Sequence, residues 1–169
     1  MSLAGSPPDD DLNPDTRIKV WFRFVQDEDG WPPVQEEGVW AVPLGDDLAE
    51  IHNIPFFVQG SADRDVVRVQ TAAGGRHWAV ERVRWSGNCT IRVLPFKDGP
   101  IGPSVRGVWE KFAGLGVTAE GHNSELPLVA LSVPPEADLA AVKRLLAEGD
   151  DEGWWWHEES CVGDAWRSA

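Results

Sequence analysis

Hydrophobic and polar positions alternate with period two through Ile18-Lys19-Val20-Trp21-Phe22-Arg23-Phe24-Val25. Alternation in β-branched and aromatic residues predicts a strand, ended by the turn-forming run Asp27-Glu28-Asp29-Gly30. Shorter runs of the same kind predict strands at 38–42, 56–59, 65–71 and 77–85. Pro32-Pro33, Gly45-Asp46, Gly60 and Gly74-Gly75 keep these pieces short, and Gly74-Gly75 reads as a hairpin turn. A small barrel or twisted sheet is the expected result.

After Gly87 the period changes. A strand at 89–96 is followed by a stretch from Pro103 to Gly114 in which Val105, Val108, Trp109 and Phe112 share one helical face. Strand candidates follow at 116–121 and 126–133. Pro134-Pro135-Glu136 then opens a second helix, with the apolar stripe Leu139, Val142, Leu145 and Leu146 and a stop at Gly149. The last strand is expected at 153–158, through Trp154-Trp155-Trp156. The order strand, helix, strand, strand, helix, strand is that of the split βαβ, ferredoxin-like unit. The expected class is therefore α+β, with a flexible acidic arm at 1–16, an all-β unit at 17–87, a ferredoxin-like unit at 88–160 and a tail at 161–169. Leu126, Leu128, Val129, Leu131 and Val133 put apolar groups on both faces of their strand, so the second face of that sheet should be covered as well. The β unit, a twin subunit or a partner could cover it.

Charge restricts the partners. The 169 residues carry a formal net charge of -13, which repels a phosphate backbone, so nucleic acid is not expected. The charge is uneven. Arg76, Arg82, Arg84, Arg92 and Lys97 face the single acid Glu81 across 76–97, while both ends are acidic, with Asp9, Asp10, Asp11 and Asp15 at one and Glu148, Asp150, Asp151, Glu152, Glu158, Glu159 and Asp164 at the other. No apolar run approaches the ~18 residues of a membrane helix, and no secretory signal is evident at the N-terminus. Two cysteines are too few for a disulfide scaffold, so a cytoplasmic, reduced protein is expected. Ten tryptophans are the oddest part of the composition, and most read as core material.

Four short motifs occur in order in the first 95 residues: Trp31-Pro32-Pro33-Val34 with Glu37 to Trp40 behind it, Asn53-Ile54-Pro55-Phe56-Phe57, Asp65-Val66-Val67, and Gly87-Asn88-Cys89-Thr90-Ile91-Arg92-Val93. On these the chain resembles the bacterial domain-of-unknown-function family catalogued as 4265, over roughly residues 18–160. It departs from that family's pattern at Cys89, where Ser is usual, and at His52, where an acidic residue often precedes the Asn. The resemblance implies an architecture and no mechanism.

Candidate chemistry is sparse. Asn53 reads first as a bend in which its amide ties the backbone; the alternative is a polar pocket at the barrel rim lined by Asn53 and Asp65. Cys89 would serve as a nucleophile only with a base such as His52 or His157 in reach; the alternative is a small buried residue at a strand start. His157 and Cys161 lie about 13 Å apart on a strand at ~3.3 Å per residue, so no metal is expected there. No nucleotide-binding glycine pattern is present and no cofactor is expected. Trp154, Trp155 and Trp156, with His157 and Glu158 beside them, offer an apolar centre inside an acidic rim, suited to a protein interface or to an internal seam. The leading expectation is a non-enzymatic acidic binding protein, an inhibitor or immunity-type partner of a basic protein. Its alternatives are a small enzyme using Cys89 in a crevice between the units, and a homodimeric structural subunit.

Overall fold

A computed structural model describes residues 16–169 of the chain, so the arm expected over 1–16 falls, but for Thr16, outside the described residues. The described residues divide into two compact units, one up to Ser86 and one from Gly87.

The first unit is a closed five-stranded barrel of β1 (Ile18–Arg23), β2 (Glu36–Gly45), β3 (Leu48–Ile51), β4 (Val66–Thr71) and β5 (His77–Arg84). Successive strands pair antiparallel, and β1 closes on β5 in parallel. The alternation read in β1 resolves as Val20 buried inside, with Ile18 and Phe22 packed against the core, and Lys19, Trp21 and Arg23 outside. Val39, Ala41, Ala49, Ile51, Val67 and Val69 complete an interior of small side chains, as a five-stranded barrel requires. Asp46 and Asp47 join β2 to β3 with φ of 53° and 60°, the two positive values of a type I′ turn.

The strand expected at 56–59 is absent, and β3 was not foreseen. The cause is Glu37. Its carboxylate accepts the backbone N–H groups of Phe56, Phe57 and Val58 at 2.6, 2.8 and 3.0 Å, so those donors are committed away from any ladder. β3 presents only Ala49 and Ile51 to the core, too few apolar residues to announce a strand.

The second unit contains β6 (Cys89–Pro95), α1 (Val105–Phe112), β7 (Thr118–Gly121), β8 (Val129–Val133), α2 (Leu139–Asp151), β9 (Trp155–Cys161) and α3 (Asp164–Ser168). Its antiparallel sheet runs β7-β8-β6-β9. One face packs Ile91, Val93, Leu131 and Val133 against Val108 and Phe112 of α1, Val142 and Leu146 of α2, and Trp166 of α3. All five residues of β8 are buried, so neither face of that strand is wet, as its apolar run implied.

Helix boundaries shift for physical reasons. Ser104 caps α1 by accepting from Gly107 N, and Asp138 caps α2 by accepting from Ala141 N, so α2 starts at Leu139 and not at the prolines. Gly149, read as a stop, lies inside α2. A Cβ there would meet the Trp155 ring at 2.0–2.3 Å. Trp155 lies directly on this helix, donating Nε1–H to Leu146 O at 3.1 Å and stacking on Phe112 with ring centroids 5.5 Å apart. Residues 161–169, read as a tail, complete β9 and form α3, whose Trp166 is buried and donates Nε1–H to Glu159 at 2.9 Å.

Gly149→Ala should therefore overpack the second unit and cost about 2–3 kcal/mol in urea unfolding. Gly74→Ala, with nothing within 4 Å of the added Cβ, should stay within about 0.5 kcal/mol of the parent.

Candidate functional site

Asn53 and Asp65 both fasten backbone. Asn53 Oδ1 accepts from Trp40 N at 2.6 Å, and the bend it holds buries Ile54, Phe57 and Val58. Asp65 is fully buried; its two oxygens accept from Ala62 N at 2.9 Å and Ser86 N at 2.8 Å, with Arg82 at 3.6 Å. Burial pushes this carboxyl up from its ordinary value against the pull of those donors. His52, next to Asn53 in sequence, works elsewhere, within 2.9 Å of Glu50 Oε1 and in contact with Arg64.

Cys89 is buried at the start of β6. Burial raises its thiol above the ordinary 9.0; Glu159 pushes the same way, while the Gly163 N–H and Arg167 pull down. No histidine is among the groups acting on it. His157 pairs with Val93, four residues along β6 and so about 13 Å away, and its Nδ1 lies 2.7 Å from Asp150. His52 belongs to the barrel unit. A buried thiol with a raised pKa is a poor nucleophile.

The tryptophan run does not form one patch. β9 begins at Trp155, and Gly153, at φ +71°, turns the chain into it. Trp154, expected on the face of Trp156, instead packs on Trp155 at 5.5 Å with Lys111 Nζ over its ring at 3.4 Å. Trp155 is core and Trp156 is 43% exposed. Glu158 faces Arg92, a fully buried arginine that also donates to Ser160 at 2.6 Å. Of the expected apolar centre, one indole, Trp156, is exposed, on the face of β9 turned away from the Trp155 and His157 side chains that meet α2; Glu148, Asp150, Asp151 and Glu152 are exposed at the end of that helix.

The basic stretch 76–97 is dispersed. Arg76 meets Glu36, Arg82 meets Asp65 and Arg84 meets Glu50, while Arg92 lies in the other unit. The sequence reading also missed the outer face of the barrel, where Trp21, Trp40 and Trp78 stand among Lys19, Arg23 and Arg76. Its signal was present in the polar half of the β1 alternation, Lys19-x-Trp21-x-Arg23.

With this geometry in place, the profile of the family described as "Domain of unknown function (DUF4265)" matches residues 37–157. The chain belongs to the DUF4265 family. Its match spans the barrel from β2 onward and the second unit as far as β9. No curated protein matches the chain. Among solved structures it is similar to the crystal structure of a hypothetical protein from Neisseria gonorrhoeae, with TM-score 0.68 over 88% of this chain and 95% of that one, at 17% identity. At that identity the likeness concerns the fold alone. Among the described residues no helix is long and apolar enough to cross a membrane.

The raised thiol gives a pH prediction with a definite sign. The fold disfavours the thiolate, so its contribution to stability is complete below 9.0 and is lost as pH rises through the folded-state value. Unfolding measured from pH 8 upward should show a loss in the parent that Cys89→Ser removes, and Cys89→Ser should fold normally.

Proposed function

We propose that the protein is a non-enzymatic acidic binding protein, of the inhibitor or immunity type, whose partner is a basic protein of the cytoplasm. The observation that carries this reading is the charge at the C-terminal end of α2. Glu148, Asp150, Asp151 and Glu152 are exposed there, and the last turn contains no basic residue. A helix C-terminus is already partly negative, and each acid placed on it costs about 0.3–1 kcal/mol at low salt. Charge placed against the fold's own stability suits a role outside the fold, the attraction of a cationic surface. Trp156, exposed on the face of β9 turned away from α2, offers a second, separate aromatic contact of the kind that dominates interface energetics. On this reading the second unit is a ferredoxin-like platform; the support is its strand order β7-β8-β6-β9, with α1 and α2 as the crossovers.

The test starts from the protein that co-purifies with the chain from its own cells. Its association rate should fall steeply between low and high salt, and Glu148→Gln with Asp151→Asn and Glu152→Gln should slow it about tenfold. Trp156→Ala should chiefly raise the dissociation rate. A partner without basic excess, or an association rate indifferent to salt, would remove this reading.

A further inference from the structure

The outer face of the barrel carries a ladder in which cations and indoles alternate. Register puts Lys19 opposite Trp40, Trp21 opposite Gly38 and Arg23 opposite Glu36 across β1 and β2, and Trp21 beside Trp78 of β5. Lys19 Nζ then lies over the rings of Trp40 and Trp21, at 5.2 and 5.6 Å from their centroids. Arg76 lies over Trp21 and Trp78 at 4.2 and 5.3 Å, and Arg23 over Trp78 at 4.4 Å. Gly38 keeps the space open, since a Cβ there would meet Lys19 Cε at 2.6 Å and Trp21 Cδ2 at 3.2 Å. Among the described residues one acid, Glu36, is seated in the ladder. Glu36 takes Arg76 Nη1 at 2.7 Å and Arg23 Nη2 at 3.3 Å, bridging both arginines.

We propose that this face is a docking surface for an extended acidic segment of a partner protein, which it grips as it already grips Glu36. The proposal is separate from the basic partner proposed for the other unit and does not depend on it. Charge complementarity carries it: among the described residues three cations face one carboxylate, Glu36, on a chain whose net charge is -13. Screening confines the remaining acids to short range, about 8 Å at physiological salt, so a ligand on this face feels the ladder first. Each guanidinium has five N–H donors, and carboxylates take them in charge-assisted pairs. The rings hold the cations in place in advance, which lowers the ordering cost of binding. Arg23 and Trp40 remain largely accessible, at 68% for the side chain and 45% for the residue. Single-stranded nucleic acid is disfavoured, because stacking platforms need free ring faces and here the cations sit over them.

The probe is a labelled octaglutamate peptide, titrated against the full chain at about 0.15 M salt. Saturable binding is expected, weakened about tenfold or more in Lys19→Gln/Arg76→Gln. Glu36→Gln should tighten binding about threefold, because it releases both arginines; a merely structural Glu36 would not. Circular dichroism confirms that each variant folds, and Arg23→Gln replaces the double variant if that one does not. The proposal is overturned if octaglutamate fails to bind, if Glu36→Gln leaves its affinity unchanged or lower, or if single-stranded octathymidylate binds more tightly.

Discussion

Both units rest on the two-residue repeat of a β-strand, which sends neighbouring side chains to opposite faces. In β1 it places Val20 in the barrel interior and Trp21 on the outside, so one six-residue strand supplies both a core row and a surface row. In β9 it divides two adjacent tryptophans in the same way, Trp155 against α2 and Trp156 toward water. A slip of one residue in either strand would exchange core for surface along its whole length, which fixes the register. The close fit of Trp155 on Gly149 is the tightest expression of that constraint, since only a glycine lets the helix and the indole approach so closely.

Much of this was legible in the sequence. Periodicity located the barrel strands of β1, β2, β4 and β5, and periodicity together with continuous apolar runs such as that of β8 located every element of the second unit except α3. It failed where long-range polar bonds overrode local preference. Phe56 to Val58 have strong β-formers, yet Glu37, about twenty residues upstream, removes their N–H groups from any ladder. Gly149 looked like a terminator because glycine usually is one; the reason for it, an indole arriving from β9, lies outside any local window. Trp166 was lost in a supposed tail because five residues of helix leave almost no periodic signal.

The site residues divide along a similar line. Asn53 was legible as a turn former and Asp65 as a strand start or pocket residue; both act as backbone fasteners. Cys89 was legible as a small residue at a strand start, and burial pushes its thiol up from the ordinary value. What no window could show was the assembly of Lys19, Trp21, Arg23, Glu36, Trp40, Arg76 and Trp78 on one surface, since it draws on three strands and needs their register. The net charge has changed meaning accordingly: Arg76, Arg82 and Arg84 each meet an acid of the barrel, while the acids at the end of α2 crowd together.

The central claim is that strand alternation separates a buried set of indoles from a presented set. Hydroxyl-radical footprinting with residue-level mass spectrometry reads that division directly. Trp155 and Trp166 should be strongly protected, Trp40 and Trp156 readily oxidised, and Trp21 and Trp78 intermediate beneath their cations. Oxidation of Trp155 as fast as Trp40 in the folded protein would contradict the account.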